Sequence, residues 1–312
     1  MDVLASQANR YLSLSIANST HHIYNAALTS YLSFCSHNGS HPFPLSEGTL
    51  IRYCCSVANR LKFRSIKTYL AGIQFHSYVR GFQHSMVSMH QLYYVLRGIR
   101  RNQSFAPGNP RKHPITLVHL ALLFDIVKVQ YSFHDASMLQ SAMSLAFFAM
   151  LRASEYTSPS PFVFLPQYTL LFEDLSLIGA TLHISLKKTK TDPFRLGAVV
   201  RLVRSRSRFC PVCAYSRYIR VRGVQAGPMF VFDNGSFLTR RTLSSVLQRI
   251  FPGANINTHS FRIGGASAAA SAGISDSSIQ ILGRWSSNAF HQYLRYTDED
   301  ILRFISQMSQ ER

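Results

Sequence analysis

Apolar residues return at helical spacing through most of the first hundred positions. The stretch Ser65–Arg80 shows it well: Ile66, Tyr69, Leu70 and Ile73 fall on one face of a 3.6-residue repeat. The same reading predicts helices over His21–Ser36, Ser46–Arg60 and Ser88–Arg101. Asn38-Gly39, Pro42–Pro44 and Gly81 punctuate them. Ser46, Ser65 and Ser88 stand where N-caps belong. No β-rich run interrupts the series, so a bundle of about four short helices is expected from Met1 to about Gln103.

From Asn102 to Ile115 the pattern breaks. NQSFAPGNPRKHPI holds three prolines, a glycine and the basic run Arg111-Lys112-His113, and reads as a linker. Beyond it, Thr116–Tyr131 reads as a capped amphipathic helix, and Ser137–Leu151 is apolar all round, hence buried. Tyr168 to Val203 changes to alternating apolar positions with a turn at Gly179, which predicts antiparallel strands. Helical spacing resumes near Pro211, a short strand is expected over Met229–Phe232, and Thr239–Phe251 is a helix capped by Thr239. The last amphipathic stretch, Asp298–Gln310, has acids at its start and Ile301, Phe304, Ile305 and Met308 on one face. The expected fold is mainly α with a small antiparallel β-sheet. It comprises a helical domain over 1–104, a linker over 105–115 and an α+β domain over 116–312.

Charge sharpens this picture. Lys and Arg number 33 against 14 acids, a formal net charge of +19. Met1 to Pro107 carries ten Lys/Arg against two acids, Asp2 and Glu47. Both parts of the chain are basic, as suits a protein that wraps a polyanion with two domains. In the first part Arg60, Lys62, Arg64 and Lys67 cluster at a helix junction, with Arg80, Arg97, Arg100 and Arg101 further on. With so few acids to balance it, the cluster is read as a set of nucleic-acid contacts, a solvated face being the plainer alternative. Lys67 and Gln74 are spaced to share the polar face of a helix entering a groove.

No apolar run approaches the ~20 residues of a membrane span, and the N-terminus lacks the pattern of a signal peptide. The five cysteines are odd in number and include an adjacent pair, which argues against a disulfide framework. Cys210-Pro211-Val212-Cys213 has no second ligand pair at zinc spacing and reads as packing at a helix start.

The chemistry gathers between Thr258 and Thr297. His259 and Arg262 lie three residues apart, a spacing that shares a helix face. A run of Gly, Ala and Ser from Gly264 to Gly273 allows other backbones to come close, and Gly283-Arg284-Trp285 and then Tyr293 follow. Arg is the bidentate ligand of phosphate, His moves a proton near neutral pH, and Tyr serves as a covalent nucleophile. Together they describe attack of a phenolic oxygen on a phosphodiester. The plainer alternative is a helical bundle with one satisfied His, one surface Arg and an aromatic core residue.

This segment resembles the C-terminal half of the tyrosine recombinase (phage integrase) family, with its His-x-x-Arg, its Gly followed by His or Trp, and its nucleophilic Tyr. The wording Gly283-Arg284-Trp285 and Tyr293-Leu294-Arg295 looks most like the eukaryotic mobile-element recombinases of the Crypton, DIRS and Ngaro type. The resemblance implies an N-terminal helical core-binding domain that clamps DNA, a linker that crosses it, with Arg111 and Lys112 as DNA contacts, and an α+β catalytic domain. It makes Arg152, in Leu151-Arg152-Ala153-Ser154-Glu155, the first phosphate-binding arginine, and Glu155 its supporting carboxylate. It places an essential lysine in the β-hairpin, at Lys190 by the wording Lys188-Thr189-Lys190-Thr191, with Lys188 the alternative.

The implied catalytic set is Arg152, Lys190, His259, Arg262, Trp285 and Tyr293. Counting nine back from Tyr293 reaches Arg284 rather than Trp285, and Tyr296 competes with Tyr293 one helical turn later. The implied activity is DNA cleavage and rejoining through a 3′-phosphotyrosyl link, for integration or excision of a mobile element, with no metal, cofactor or ATP. The implied partners are double-stranded DNA and further copies of the chain, as a tetramer on paired sites, with no membrane. The place of work would be the nucleus, or the cytoplasm or nucleoid if the source is not eukaryotic. A domesticated binder that keeps the fold without recombining, and a type IB topoisomerase-like nicking-closing enzyme, are the alternatives.

Overall fold

The computed structural model describes residues 3–83, 85–105, 111–187, 197–296 and 298–308. The chain divides into two compact units, Met1–Asn109 and Pro110–Arg312.

The first unit is all helical: α1 (Val3–Leu14), α2 (Asn18–His37), α3 (Glu47–Val57), α4 (Phe63–Val79) and α5 (His90–Phe105), with a 3₁₀ turn at Met86–Ser88. Helix α2 packs on α4 and α3 on α5. Tyr31, Leu50, Tyr53, Ile66 and Ile73 are wholly buried between them. Ser46 caps α3 as expected, its hydroxyl accepting from the Thr49 N–H at 3.2 Å. Ser65 and Ser88 do not act as caps. Helix α4 starts two residues before Ser65, and its first N–H, on Phe63, is taken by the Gln103 side chain at 2.6 Å. Helix α5 starts at His90, where the Glu47 carboxylate accepts from the Leu92 N–H at 2.9 Å. In both cases a side chain more than 35 residues away in sequence satisfies the orphan donors of the first turn. Helix α1, which the apolar pattern does not predict, leaves Val3, Leu4, Tyr11 and Leu14 exposed. The Gln74 side-chain oxygen accepts from the Met86 N–H at 3.0 Å and ties the 3₁₀ turn to α4.

The second unit is built around α7 (Phe133–Phe148), which is buried at every position from Ala136 to Phe147. Helices α6 (Leu117–Gln130), α9 (Pro211–Arg222) and α11 (Ser260–Ser271) all pack on it. A three-stranded antiparallel sheet, in the order β1 (Leu175–Ile178), β2 (Thr181–Leu186), β3 (Ala198–Val203), covers one side. Pairing of Ile178 with Thr181 leaves Gly179 and Ala180 as a two-residue turn, with Gly179 at φ +58°. This is the turn expected at that glycine.

Two expected strands are shorter or missing. Tyr168–Asp174 does not extend β1, because the Asp174 carboxylate folds back on the Leu171 N–H at 2.9 Å and winds 172–174 into a 3₁₀ turn. Met229–Phe232 makes one isolated bridge, Val231 to Phe237, instead of a strand. Two of its carbonyls are taken by side chains of α9, the Tyr218 hydroxyl donating to that of Val231 at 3.0 Å and Arg222 Nε to that of Met229 at 3.0 Å, while the Met229 N–H bonds the Leu170 carbonyl at 2.9 Å. The remaining elements are the four-residue α8 (Ala153–Tyr156), α10 (Arg240–Ile250), α12 (Asp276–Gly283), a 3₁₀ turn at Asn288–Gln292 and α13 (Asp298–Met308). Among the described residues no helix is long and apolar enough to cross a membrane.

The small-residue run does what its composition implies. A β-carbon on Gly264 would lie 1.8 Å from the Ile115 carbonyl oxygen, and one on Gly265 would lie 2.2 Å from that of Phe147. Only glycine lets α11 come this close to α7 and the preceding chain, and that approach brings His259 and Arg262 beside the C-terminal end of α7.

Candidate functional site

Helix α7 ends at Phe148, and Met150 at φ +47° turns the chain sharply. Leu151 is buried, and Arg152 emerges at the N-cap of α8 with its side chain 15% exposed. Its guanidinium donates to Glu155 Oε1 at 2.9 Å, and its own backbone N–H to Glu155 Oε2 at 2.9 Å. The buried Glu155 also accepts from Arg284 Nη2 at 3.1 Å.

Helix α11 supplies the next two groups. His259 forms its N-cap, held by a backbone N–H bond to Asn257 Oδ1 at 2.9 Å. Arg262 is wholly buried; it donates through Nη1 to the Met150 carbonyl and through Nη2 to that of Gly283 at 2.6 Å, and its Nε has no partner.

Helix α12 ends in a left-handed residue, Arg284 at φ +56°. The chain then folds back, the Trp285 N–H bonding the Gln280 carbonyl at 3.0 Å. The indole lies against Gly283, where a β-carbon would stand 1.5 Å from the ring. Trp285 is 8% exposed and takes the face of the Arg262 guanidinium. The turn at 288–292 buries Phe290 beside the indole and delivers Tyr293. The Tyr293 carbonyl accepts from Ser267 Oγ of α11 at 3.2 Å.

Four of the expected residues thus meet. The Tyr293 ring stands 5.1 Å from His259 edge to face and 5.2 Å from Trp285, and the Arg262 guanidinium is 5.8 Å from its centre. Tyr293, His259 and Arg152 line one open cleft of about 840 Å³, together with Lys112, Arg240 and Arg241. Arg262, Trp285 and Arg284 lie behind its wall. Tyr296 is not among the cleft residues; it is 45% exposed, with burial, Asp276 and Asp300 pushing its hydroxyl pKa up.

The electrostatics are one-sided. Arg152 and Arg284 share the carboxylate of Glu155, whose charge also acts on Arg262. Burial, then the charges of Arg152 and Arg284, pull the Arg262 pKa down. Burial, then Lys112, Arg262, Arg240 and Arg152, depress His259 to about 4, so the imidazole is neutral at pH 7. Such a site favours an anion. Among the described residues no three His, Cys, Asp or Glu side chains gather as metal ligands would. Cys210 stands at the N-cap position of α9, and its sulfur accepts from the Ser205 N–H at 3.1 Å in the preceding loop.

The other expected residues are placed as follows in their own units. Arg60, Lys62, Arg64 and Lys67 are exposed in the first unit, and Lys62 is the N-cap residue of α4. Arg111 is exposed, whereas Lys112 is half-buried at the cleft. Lys190 and Lys188 lie outside the described residues, between the paired ends of β2 and β3; the neighbouring Lys187 pairs with Asp174 at 3.0 Å. Two cleft residues escaped the sequence reading, Arg240 and Arg241. Their position just after the Thr239 cap was the available signal.

No family model matches the chain, and neither does any curated protein. Solved structures do. XerH site-specific recombinase bound to difH substrate, in a pre-cleavage complex, is 14% identical with a TM-score of 0.60 over 92% of this chain and 79% of that one. The Tn1549 transposon integrase in complex with transposon right end DNA is 12% identical, TM-score 0.60, over 95% of each chain. A lambda integrase dimer bound to a COC′ core site is 14% identical, TM-score 0.58, over 94% and 77%. The likeness establishes the fold: mainly helical with a small three-stranded antiparallel sheet, as in the tyrosine recombinases.

Proposed function

We propose that this chain is a tyrosine-type DNA recombinase that cuts and rejoins DNA through a 3′-phosphotyrosyl intermediate. The observation that carries the reading is the contact of the Tyr293 and His259 rings, 5.1 Å apart, in a cleft that Arg152 also lines. The Tyr293 oxygen attacks phosphorus while the bond to the 5′-oxygen breaks. Neutral His259 accepts the phenolic proton, whose ordinary pKa of ~10 makes unaided attack slow at pH 7. Arg152 donates to the non-bridging oxygens, and buried Arg262 adds positive charge from behind, where low dielectric makes it effective. Lys190 is the candidate to protonate the leaving 5′-oxygen. In the reverse step a 5′-hydroxyl of another strand attacks phosphorus and Tyr293 recovers its proton. The covalent link conserves the phosphodiester's free energy, so ATP is not required.

Double-stranded DNA is the proposed substrate. Excess positive charge in both parts of the chain and the DNA-bound state of the similar recombinases support it. Exchange between two duplexes cuts four strands, one tyrosine each, which points to four copies on paired sites. The wording Gly283-Arg284-Trp285 and Tyr293-Leu294-Arg295 supports service to a eukaryotic mobile element, with work in the nucleus.

The test is covalent trapping on nicked suicide DNA carrying candidate element-terminal sites, run on denaturing gels beside Tyr293→Phe and Tyr296→Phe. A labelled band lost only with Tyr293→Phe is expected. Firm binding of the correct site with no band would replace the reading with that of a DNA-binding protein that no longer cuts.

A further inference from the structure

Arg284 stands at the position from which the distance to Tyr293 matches the family spacing, yet it does not reach the cleft. Its side chain is 11% exposed. Nη1 donates to the Ala149 carbonyl at 2.9 Å, and Nη2 to the Met150 carbonyl at 3.2 Å and to Glu155 Oε2 at 3.1 Å. Ala149 and Met150 carry carbonyls freed at the C-terminal end of α7, where the helix dipole is negative. A cation from α12 therefore caps α7. Both terminal nitrogens are occupied, and Nε, which has no partner, is buried away from solvent.

The partners of Arg284 are also those of the site's other arginines. The Met150 carbonyl accepts from Arg262 as well. Glu155 uses its second oxygen to hold the Arg152 guanidinium. One side chain thus braces the loop that carries Arg152 and the carbonyl that fixes Arg262. Its backbone, left-handed at φ +56°, also turns Trp285 onto Arg262.

We propose that Arg284 is a positioning residue for strand cleavage, acting through Glu155 and the end of α7 to aim Arg152 and seat Arg262 and Trp285. This rests on the recombinase reading above. A lysine carries the charge but not the planar fork that serves carbonyls and carboxylate at once, so charge alone does not replace it.

The chain's single tryptophan is Trp285, which gives a readout separate from activity. Full-length Arg284→Met and Arg284→Lys are compared with wild type by thermal melting, by DNA binding, by the rate of phosphotyrosyl formation at saturating DNA, and by acrylamide quenching of Trp285. Arg284→Met is expected to slow cleavage on the order of 10²-fold, the scale of losing one preorganised donor set, with DNA affinity within about threefold of wild type. Arg284→Lys should fall between, and both should raise quenching of Trp285.

Adding Glu155→Gln to Arg284→Met should slow cleavage by no more than about threefold beyond the slower single variant, as for residues acting through one unit. Multiplying losses would mean that Arg284 meets the DNA itself and would overturn the proposal. So would wild-type cleavage in either variant, or loss of binding and cleavage together in Arg284→Lys. If wild type forms no adduct, the recombinase reading falls; unchanged quenching in both variants overturns the brace.

Discussion

The guanidinium carbon of Arg262 lies 4.2 Å from the centre of the Trp285 ring. A buried cation with no Nε partner is costly, and the indole face offsets part of that cost, by about 2 kcal/mol where water is excluded. Trp285→Ala removes this interaction and leaves a cavity beside Phe290, so a loss of roughly 3–5 kcal/mol is expected. Trp285→Phe keeps a ring over Arg262 and should lose roughly half as much. Urea unfolding followed by circular dichroism measures both. Equal losses for the two variants would mean that the ring face does not matter.

Gly264 and Gly265 form the closest approach between α11 and its neighbours. A β-carbon at either would collide with backbone, the Ile115 and Phe147 carbonyls, which no rotamer change relieves. Gly264→Ala and Gly265→Ala are each expected to destabilise by more than about 4 kcal/mol, in the range that marks backbone displacement in a core. Gly98, exposed in α5 with nothing within 4 Å, is the contrast. Gly98→Ala should stabilise its helix by about 0.8–1 kcal/mol. Thermal melting decides it, and the idea fails if the three variants melt alike.

These glycines show what a sequence can disclose. A run of Gly, Ala and Ser signals close approach, because only small residues allow it; which carbonyls come close it does not say. Likewise the spacing of His259, Arg262 and Tyr293 is legible, while the atoms that hold them are mostly backbone, of Met150, Gly283 and Tyr293 itself. Backbone atoms carry no residue identity, so no motif records them. The absence of caps at Ser65 and Ser88 has a related cause. Gln103 and Glu47 serve those helix starts from 40 and 45 residues away, beyond any local window. The choice between Arg284 and Trp285 turns on one left-handed residue, which sends neighbouring side chains to different partners. Met229–Phe232 has the apolar run of a strand, but two of its carbonyls are bonded by side chains of α9 rather than by a neighbouring strand.

His259 gives the site a pH signature. Its pKa is depressed from 6.5 to about 4 by burial and by the surrounding cations. Between those values the unfolded chain binds a proton that the folded chain refuses, so stability is full above 6.5 and declines as pH falls toward 4. His259→Gln removes the titration. The Tm of wild type relative to His259→Gln should be constant from about pH 7 to 8 and fall progressively below about 6.5. A phosphodiester in the cleft opposes the charges of Lys112 and Arg152 and lifts the imidazole pKa. DNA binding by wild type should therefore take up protons in this window, and its affinity should rise more steeply on acidification than that of the variant. Parallel pH profiles for the two proteins would show that His259 is not next to the bound phosphate.

The basic cluster of the first unit is expected to bear on affinity rather than chemistry. Arg60, Lys62, Arg64 and Lys67 are all exposed. The acids among the first 107 residues are Asp2 and Glu47, and Glu47 is engaged at the start of α5. Among the described residues none of the four makes an ion pair, so their solvent counterions are what a DNA backbone would displace. Removing one side chain that neutralises a phosphate reduces the slope of log K against log salt by about 0.9. Lys62→Ala with Lys67→Ala should lower that slope by roughly 2 and weaken binding to all sequences alike. The rate of phosphotyrosyl formation at saturating DNA should stay unchanged, since neither side chain belongs to the cleft. Fluorescence anisotropy between about 50 and 200 mM salt, on cognate and scrambled duplexes, measures the slope. An unchanged slope would make the cluster a solvated face; a sequence-dependent loss would move it from the phosphates to the bases.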